Sequence, residues 1–116
     1  MSDGPQTNRR RFQRLKLRVP LEIHVETSAA PMRLATSDLS LGGCYIETIF
    51  PFPIGTVLDL RMNINDATLP IEATVATSDP QVGNGITFMK MLPEDQEMLK
   101  AFIEAAEQEE GEASGG

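Results

Sequence analysis

The sequence predicts an all-β domain that ends in one α-helix. Six short segments rich in Val, Ile, Leu and Thr carry the prediction, most of them alternating apolar and polar residues with period two. Turn signals separate them at close spacing, and a single 3.6-period apolar stripe follows Pro93. Strands this short and close together suggest an antiparallel barrel or sandwich. The 116 residues, 41% of them hydrophobic, suffice for one core and not two, so a single domain is expected.

Residues 1–8 are polar, contain Gly4 and Pro5, and read as a disordered tail ahead of a domain spanning 9–107. From Leu15 the alternation is strict. Leu17, Val19, Leu21, Ile23 and Val25 share one face of a strand, and Lys16, Arg18, Pro20, Glu22, His24 and Glu26 share the other. Pro20 lacks a backbone donor and belongs at an edge or a bulge. Residues 27–31 read as a hairpin loop, 32–38 as the return strand, and Asp38–Gly43 as a turn. Cys44, Ile46 and Thr48 then alternate with Tyr45, Glu47 and Ile49. Two prolines and a glycine in 50–55 break regular structure. Residues 56–64 form a strand with Leu60, Met62 and Ile64 on one face. Asn65-Asp66 is a turn, 69–77 a strand, 79–85 a loop and 86–91 the last strand.

Pro93 suits the first position of a helix, and Glu94 and Asp95 complement its positive dipole end. Met98, Leu99, Phe102, Ile103 and Ala106 make its apolar stripe, which would cover an opening or a side of the barrel. After Glu107 the chain becomes acidic, then Gly- and Ser-rich, so 108–116 reads as a second disordered tail.

Charge is distributed unevenly. Residues 1–18 carry six basic groups and one acid, a net +5, within a chain of net charge −7; the remaining residues therefore carry −12. Most of the basic charge sits in NRRRFQR, residues 8–14. An acidic body opposes long nucleic acid, whose affinity needs many phosphate contacts. It does not oppose a small anion held under a local arginine cluster. The arm lacks a continuous apolar face, so membrane insertion is not expected. The single Cys44 has no internal disulfide partner, residues 1–5 show no apolar signal segment, and no run reaches transmembrane length. A soluble cytoplasmic protein is expected, as a monomer or weak dimer.

The hairpin geometry brings two distant stretches together. If residue 26 faces 32 around the 27–31 loop, position 14 faces 44, and Arg14 emerges at the same end as the Asp38–Gly43 turn, within roughly 10 Å at about 3.3 Å per residue. Arg10 and Arg14 are four apart, so one helical turn aligns them and a flexible arm also presents both. Guanidinium groups bind phosphate in pairs of hydrogen bonds and read the O6 and N7 edge of guanine. Asp38 accepts from guanine N–H groups, Ser40 adds a hydroxyl, and Gly42 and Gly43 permit φ > 0 and close approach of backbone to a ligand. Together they favour a compact anion with purine edges.

These residues resemble the PilZ domain family. The family is marked by an Arg-x-x-x-Arg element, often with a further arginine before it, and an Asp/Asn-x-Ser-x-x-Gly element some way downstream. This chain has Arg10-Arg-Phe-Gln-Arg14, preceded by Arg9, then Asp38-Leu-Ser-Leu-Gly-Gly43. Residues 85–95 are similar to the family's last strand and the start of its helix, so the resemblance covers roughly 8–105. It implies a six-stranded antiparallel β-barrel that binds cyclic di-GMP, a bacterial second messenger. Arg10 and Arg14 would hold phosphate and guanine with Arg9 assisting, Asp38 and Ser40 would contact guanine, and Gly43 would shape the turn. Arg11 fits as the extra arginine only if the spacing to Arg14 is shortened. Signalling would pass to a downstream protein after the arm changes on binding; a ligand-independent interaction module is the alternative within the same family.

Other residues have ordinary readings. The arginine cluster alone would be a solvated tail, and Asp38 and Ser40 alone would stabilise a turn, a role compatible with ligand contact. His24 has no second His or Cys at metal-ligand spacing. Cys44 reads as a small buried strand residue. Five phenylalanines and one tyrosine give little of the aromatic platform that single-stranded nucleic acid needs. No nucleophile–base pair or metal set is visible, so neither an enzyme nor a cofactor is expected.

Overall fold

Alternation turns every second side chain of these strands inward, and the sheet closes on itself. A computed structural model describes residues 14–115, with side chains as far as Glu109. The six strands are β1 (Pro20–His24), β2 (Met32–Leu39), β3 (Gly43–Glu47), β4 (Val57–Ile64), β5 (Ala67–Asp79) and β6 (Gly83–Met91), followed by helix α1 (Pro93–Gly115). They form a closed antiparallel barrel in the order β1-β2-β3-β6-β5-β4, which settles the choice between barrel and sandwich. The tail proposed for residues 1–8 lies outside the described residues.

Leu58, Leu60, Met62 and Ile64 of β4 and Leu69, Ile71, Ala73 and Val75 of β5 are buried in the interior. Each large side chain removed from water contributes about 1.5–3 kcal/mol. Asn65-Asp66 joins these strands as expected, with Asn65 at φ 56, a conformation that asparagine tolerates.

β1 is shorter than its alternation suggests. Leu15 and Val19 are buried on the expected face, but residues 16–19 have no strand ladder. Thr36 replaces part of it. Its buried hydroxyl accepts from the Val19 N–H at 3.0 Å and donates to the Leu17 carbonyl at 2.6 Å. The isosteric Thr36→Val strands both backbone groups, and should cost about 1–3 kcal/mol in urea denaturation. A loss within experimental error would show that water or rearrangement meets those groups.

The hairpin register also differs from expectation. Ile23 faces Met32, where the 26–32 register would have it face 35. Pro20 is neither at an edge nor in a bulge: it opens β1, where a missing N–H interrupts no ladder. Residues 83–85, expected in a loop, belong to β6. Gly83 lies so close to β3 that a Cβ there would collide with the Ile46 carbonyl oxygen. Its role is close strand approach, not the freedom of a turn.

In α1, Leu99 and Ile103 join the barrel core, with Phe102 and Ala106 packed beside them and the helix lying against β4. Met98 does not belong to the stripe; it is 37% exposed. The helix continues to Gly115, past the Glu107 at which the sequence reading ends the domain. Among the described residues, Ala106 is the last apolar side chain of the helix packed against the core.

Candidate functional site

The site grows from an irregularity in β2. Thr36 pairs with Ile46 and Asp38 with Tyr45, so Ser37 is an extra residue. Such a bulge shifts the alternation by one position. Thr36 points inward before it and Leu39 points inward after it, both essentially fully buried. Asp38 is thereby aimed outward beside Ser37. Without the bulge, strict alternation from Thr36 would place Asp38 in the apolar interior.

Arg14 meets Asp38 there. Leu15 and Leu39 exchange backbone hydrogen bonds of 2.9 and 2.8 Å, fixing the chain just beyond the arm against the end of β2. The Arg14 guanidinium donates from Nη1 to Asp38 Oδ1 at 3.1 Å. Both side chains are partly exposed, so the pair contributes at most about 1 kcal/mol to folding. Two charged groups from opposite ends of the motif set thus stand at contact distance. Arg9 and Arg10 lie outside the described residues.

Ser40 is buried and organises the turn. Its hydroxyl accepts from the N–H groups of Gly42 and Gly43, each at 3.2 Å, and lies 3.3 Å from the Gly43 carbonyl, to which it donates. The Ser40 N–H donates to the same carbonyl at 2.8 Å. Neither Gly42 nor Gly43 uses the φ > 0 that glycine permits. Gly43 opens β3 instead, and a Cβ there would run into the Ile86 backbone carbonyl of β6. Its constraint is contact between strands directly behind the turn.

Beside Asp38 an open groove of about 710 Å³ crosses the outer face of β1, β2 and β3. Arg18 and Arg33 line it together with Ala35, Ser37 and Glu47. Arg33 donates from Nε to Glu22 at 3.1 Å, and Glu22 also contacts His24 at 3.2 Å. The Arg33 hydrogen bond, helped by that from His24, holds the Glu22 carboxyl below its ordinary range. In the sequence Arg18 reads only as a polar-face residue of the first strand, and nothing there singles out Arg33.

Tyr45 is the residue that sequence reasoning passed over. It stands outward on β3 across from Asp38, and its hydroxyl donates to Asp79 at 2.7 Å. Desolvation first, and then that hydrogen bond, push its phenol up to about 12. The available signal was its place on the outer face two residues after Gly43. Cys44 faces Leu39 in the interior, and burial, with Asp38 adding to it, pushes its thiol up to about 12. A thiol so held is unreactive.

The family model of the PilZ domain matches residues 8–105. By sequence, no curated protein matches the chain. Among solved structures, YcgR of Escherichia coli in complex with c-di-GMP is similar with a TM-score of 0.76 at 18% identity, over 91% of this chain and 49% of that one. The PilZ domain of YcgR with c-di-GMP gives 0.72 at 18% identity, over 91% and 97% of the two chains. The Bacillus subtilis inhibitor of motility MotI/DgrA gives 0.71 at 19% identity, over 85% and 52%. At these identities the likeness is one of fold. The chain spans about half of the YcgR and MotI/DgrA chains.

Proposed function

The chain belongs to the PilZ domain family, and from that premise we propose that it is a cyclic di-GMP receptor, without catalysis of its own, that signals to a protein partner. The observation that carries this reading is the 3.1 Å contact between Arg14 and Asp38, which joins the arginine element to the Asp-x-Ser-x-x-Gly turn at one end of the barrel. A guanine base presents N–H donors to a carboxylate and O6 and N7 acceptors to a guanidinium, so the pair is complementary to it. Phosphates supply the anion for Arg10 and Arg14, with Arg9 assisting. Ser40 and Gly43 hold the turn that presents Asp38. Solved PilZ-domain structures of similar fold contain c-di-GMP, which supports the ligand class.

Ligand binding changes the arm. Residues 1–18 carry a net +5, and their mutual repulsion opposes any compact arrangement. A ligand with two phosphates reduces that repulsion and draws the arginines to the barrel, an ordering switch whose new surface a partner reads. Among the described residues no helix is long and apolar enough to cross a membrane; we place the protein in the cytoplasm, where the nucleotide is made.

Isothermal calorimetry with cyclic di-GMP tests the reading and gives the number of nucleotides bound. The sequence contains one tyrosine and no tryptophan, so emission from Tyr45, across from Asp38, reports occupancy independently. Saturable heat with a matching change in emission is expected. Absence of heat at high nucleotide concentration would leave the ligand-independent module as the better account.

A further inference from the structure

The end of the barrel opposite Arg14 is apolar and open. Strand directions place the β1–β2 loop (25–31), the β3–β4 loop (48–56) and the β5–β6 turn (80–82) at one end. Arg14, the 40–42 turn and the start of α1 occupy the other. At the first end Ile49, Phe50, Ile54, Val57 and Val82 stand exposed, Phe50 to 78%. A groove of about 440 Å³ continues this surface between Val25, Met32, Phe52 and Val57, with Glu26 on its wall.

A slack loop would let such side chains fold back, but this loop is held. Asn84 is fully buried and accepts from the Phe52 N–H at 2.8 Å. It also donates to the carbonyls of Phe52 at 2.9 Å and Thr77 at 3.1 Å. The Thr48 N–H donates to the Val82 carbonyl at 3.0 Å, tying the loop to the neighbouring turn. Pro51 and Pro53 restrict the backbone further. The fold therefore keeps apolar surface displayed on a fixed scaffold, the arrangement found at contact sites.

Charge selects the occupant. Residues 25–32, 48–60 and 79–89 contain no Lys or Arg, whereas Glu26, Glu47 and Asp79 flank the apolar surface. The nearest cation along β2, Arg33, is engaged by Glu22 at 3.1 Å. A second copy apposed through this end would set acid against acid, since a two-fold contact pairs like with like. An anionic lipid surface is repelled for the same reason. We propose that this end docks a basic amphipathic helix of a partner protein. Its apolar face would lie in the groove and on Phe50, with lysines or arginines over Glu26, Glu47 and Asp79. This surface does not depend on the nucleotide reading and is tested without nucleotide.

The full chain, labelled with nitrogen-15, is titrated with an amphipathic Leu/Lys peptide, with a Leu/Glu peptide of equal length and with phosphatidylglycerol vesicles. The Leu/Lys peptide is expected to shift the amide signals of residues 25–28, 48–50, 52, 54–57 and 82. Phe50→Ser, at an exposed position, should weaken its binding at least tenfold at unchanged melting temperature, and Glu26→Lys with Glu47→Lys should weaken it similarly. Shifts confined to the acids of α1, equal affinity in Phe50→Ser, or equal binding of the Leu/Glu peptide would each overturn the proposal. So would Phe50-dependent binding to vesicles, or Phe50-dependent dimers in sedimentation without peptide.

Discussion

Arg14→Ala and Asp38→Ala are each expected to weaken cyclic di-GMP binding by at least about tenfold while leaving the fold intact. A hydrogen bond to a charged group contributes about 1.5–3 kcal/mol to binding, which corresponds to roughly a 10- to 150-fold change in affinity. The cost to folding is much smaller, because the Arg14–Asp38 pair is partly exposed and screened. Calorimetry and thermal melting of the same samples separate the two effects. The double variant should lose less than the sum of the single losses, because the two groups face one another and share a ligand. Binding by the natural chain should weaken as salt rises, and less steeply in Arg14→Ala, which has one phosphate-binding cation fewer. Tight binding in both single variants would remove the site from Arg14 and Asp38 and leave the nucleotide to be held elsewhere.

Gly43→Ala should be far more damaging to the fold than its size suggests. The added Cβ meets the Ile86 carbonyl oxygen of β6, a backbone atom that cannot swing away as a side-chain tip would. Overpacking of this kind costs about 1–3 kcal/mol, occasionally more, and the upper end is expected because β3 and β6 must separate for the methyl to enter. Gly55→Ala provides the contrast. Gly55 has φ 91 but open space around it, so only backbone strain is added there. Urea denaturation of both variants distinguishes steric conflict from strain. A Gly43→Ala protein within about 0.5 kcal/mol of the parent would mean that the strands can part freely. It would also return Gly43 to the turn role that its motif implies.

Much of this architecture was legible because burial follows period. Leu58, Leu60, Met62 and Ile64 alternate without exception, and Pro93 with two following acids marks a helix start that the structure reproduces. Register was not legible from the loop, although parity held the information. The inward residues of β1 are odd-numbered and those of β2 before the bulge even-numbered, so Leu21 can face Leu34 but not residue 37, as the 26–32 register demands. The bulge at Ser37 was hidden because one inserted residue leaves no mark in composition. It is also what aims Asp38 outward. Met98 was misplaced because its position adjoins the stripe, and helical spacing alone does not fix the stripe's margin. Asn84 and Tyr45 were missed for a different reason. Their partners, Phe52 and Asp79, are far away in sequence and become neighbours only when β3, β5 and β6 assemble.

The ladder between β1 and β4 has a consequence for communication. It completes the ring of strands, so no strand of the six has a side left free along its whole length, and where β2 runs past β1 Leu15 already pairs with Leu39. A partner is therefore denied a long strand edge, the commonest way of joining a sheet through backbone hydrogen bonds. Whatever approaches must recognise side chains at the rims or along the outer face. On the proposed reading, a message entering beside Asp38 would leave through the shapes of loops and the positions of charges, because a closed hydrogen-bonded wall separates the two ends.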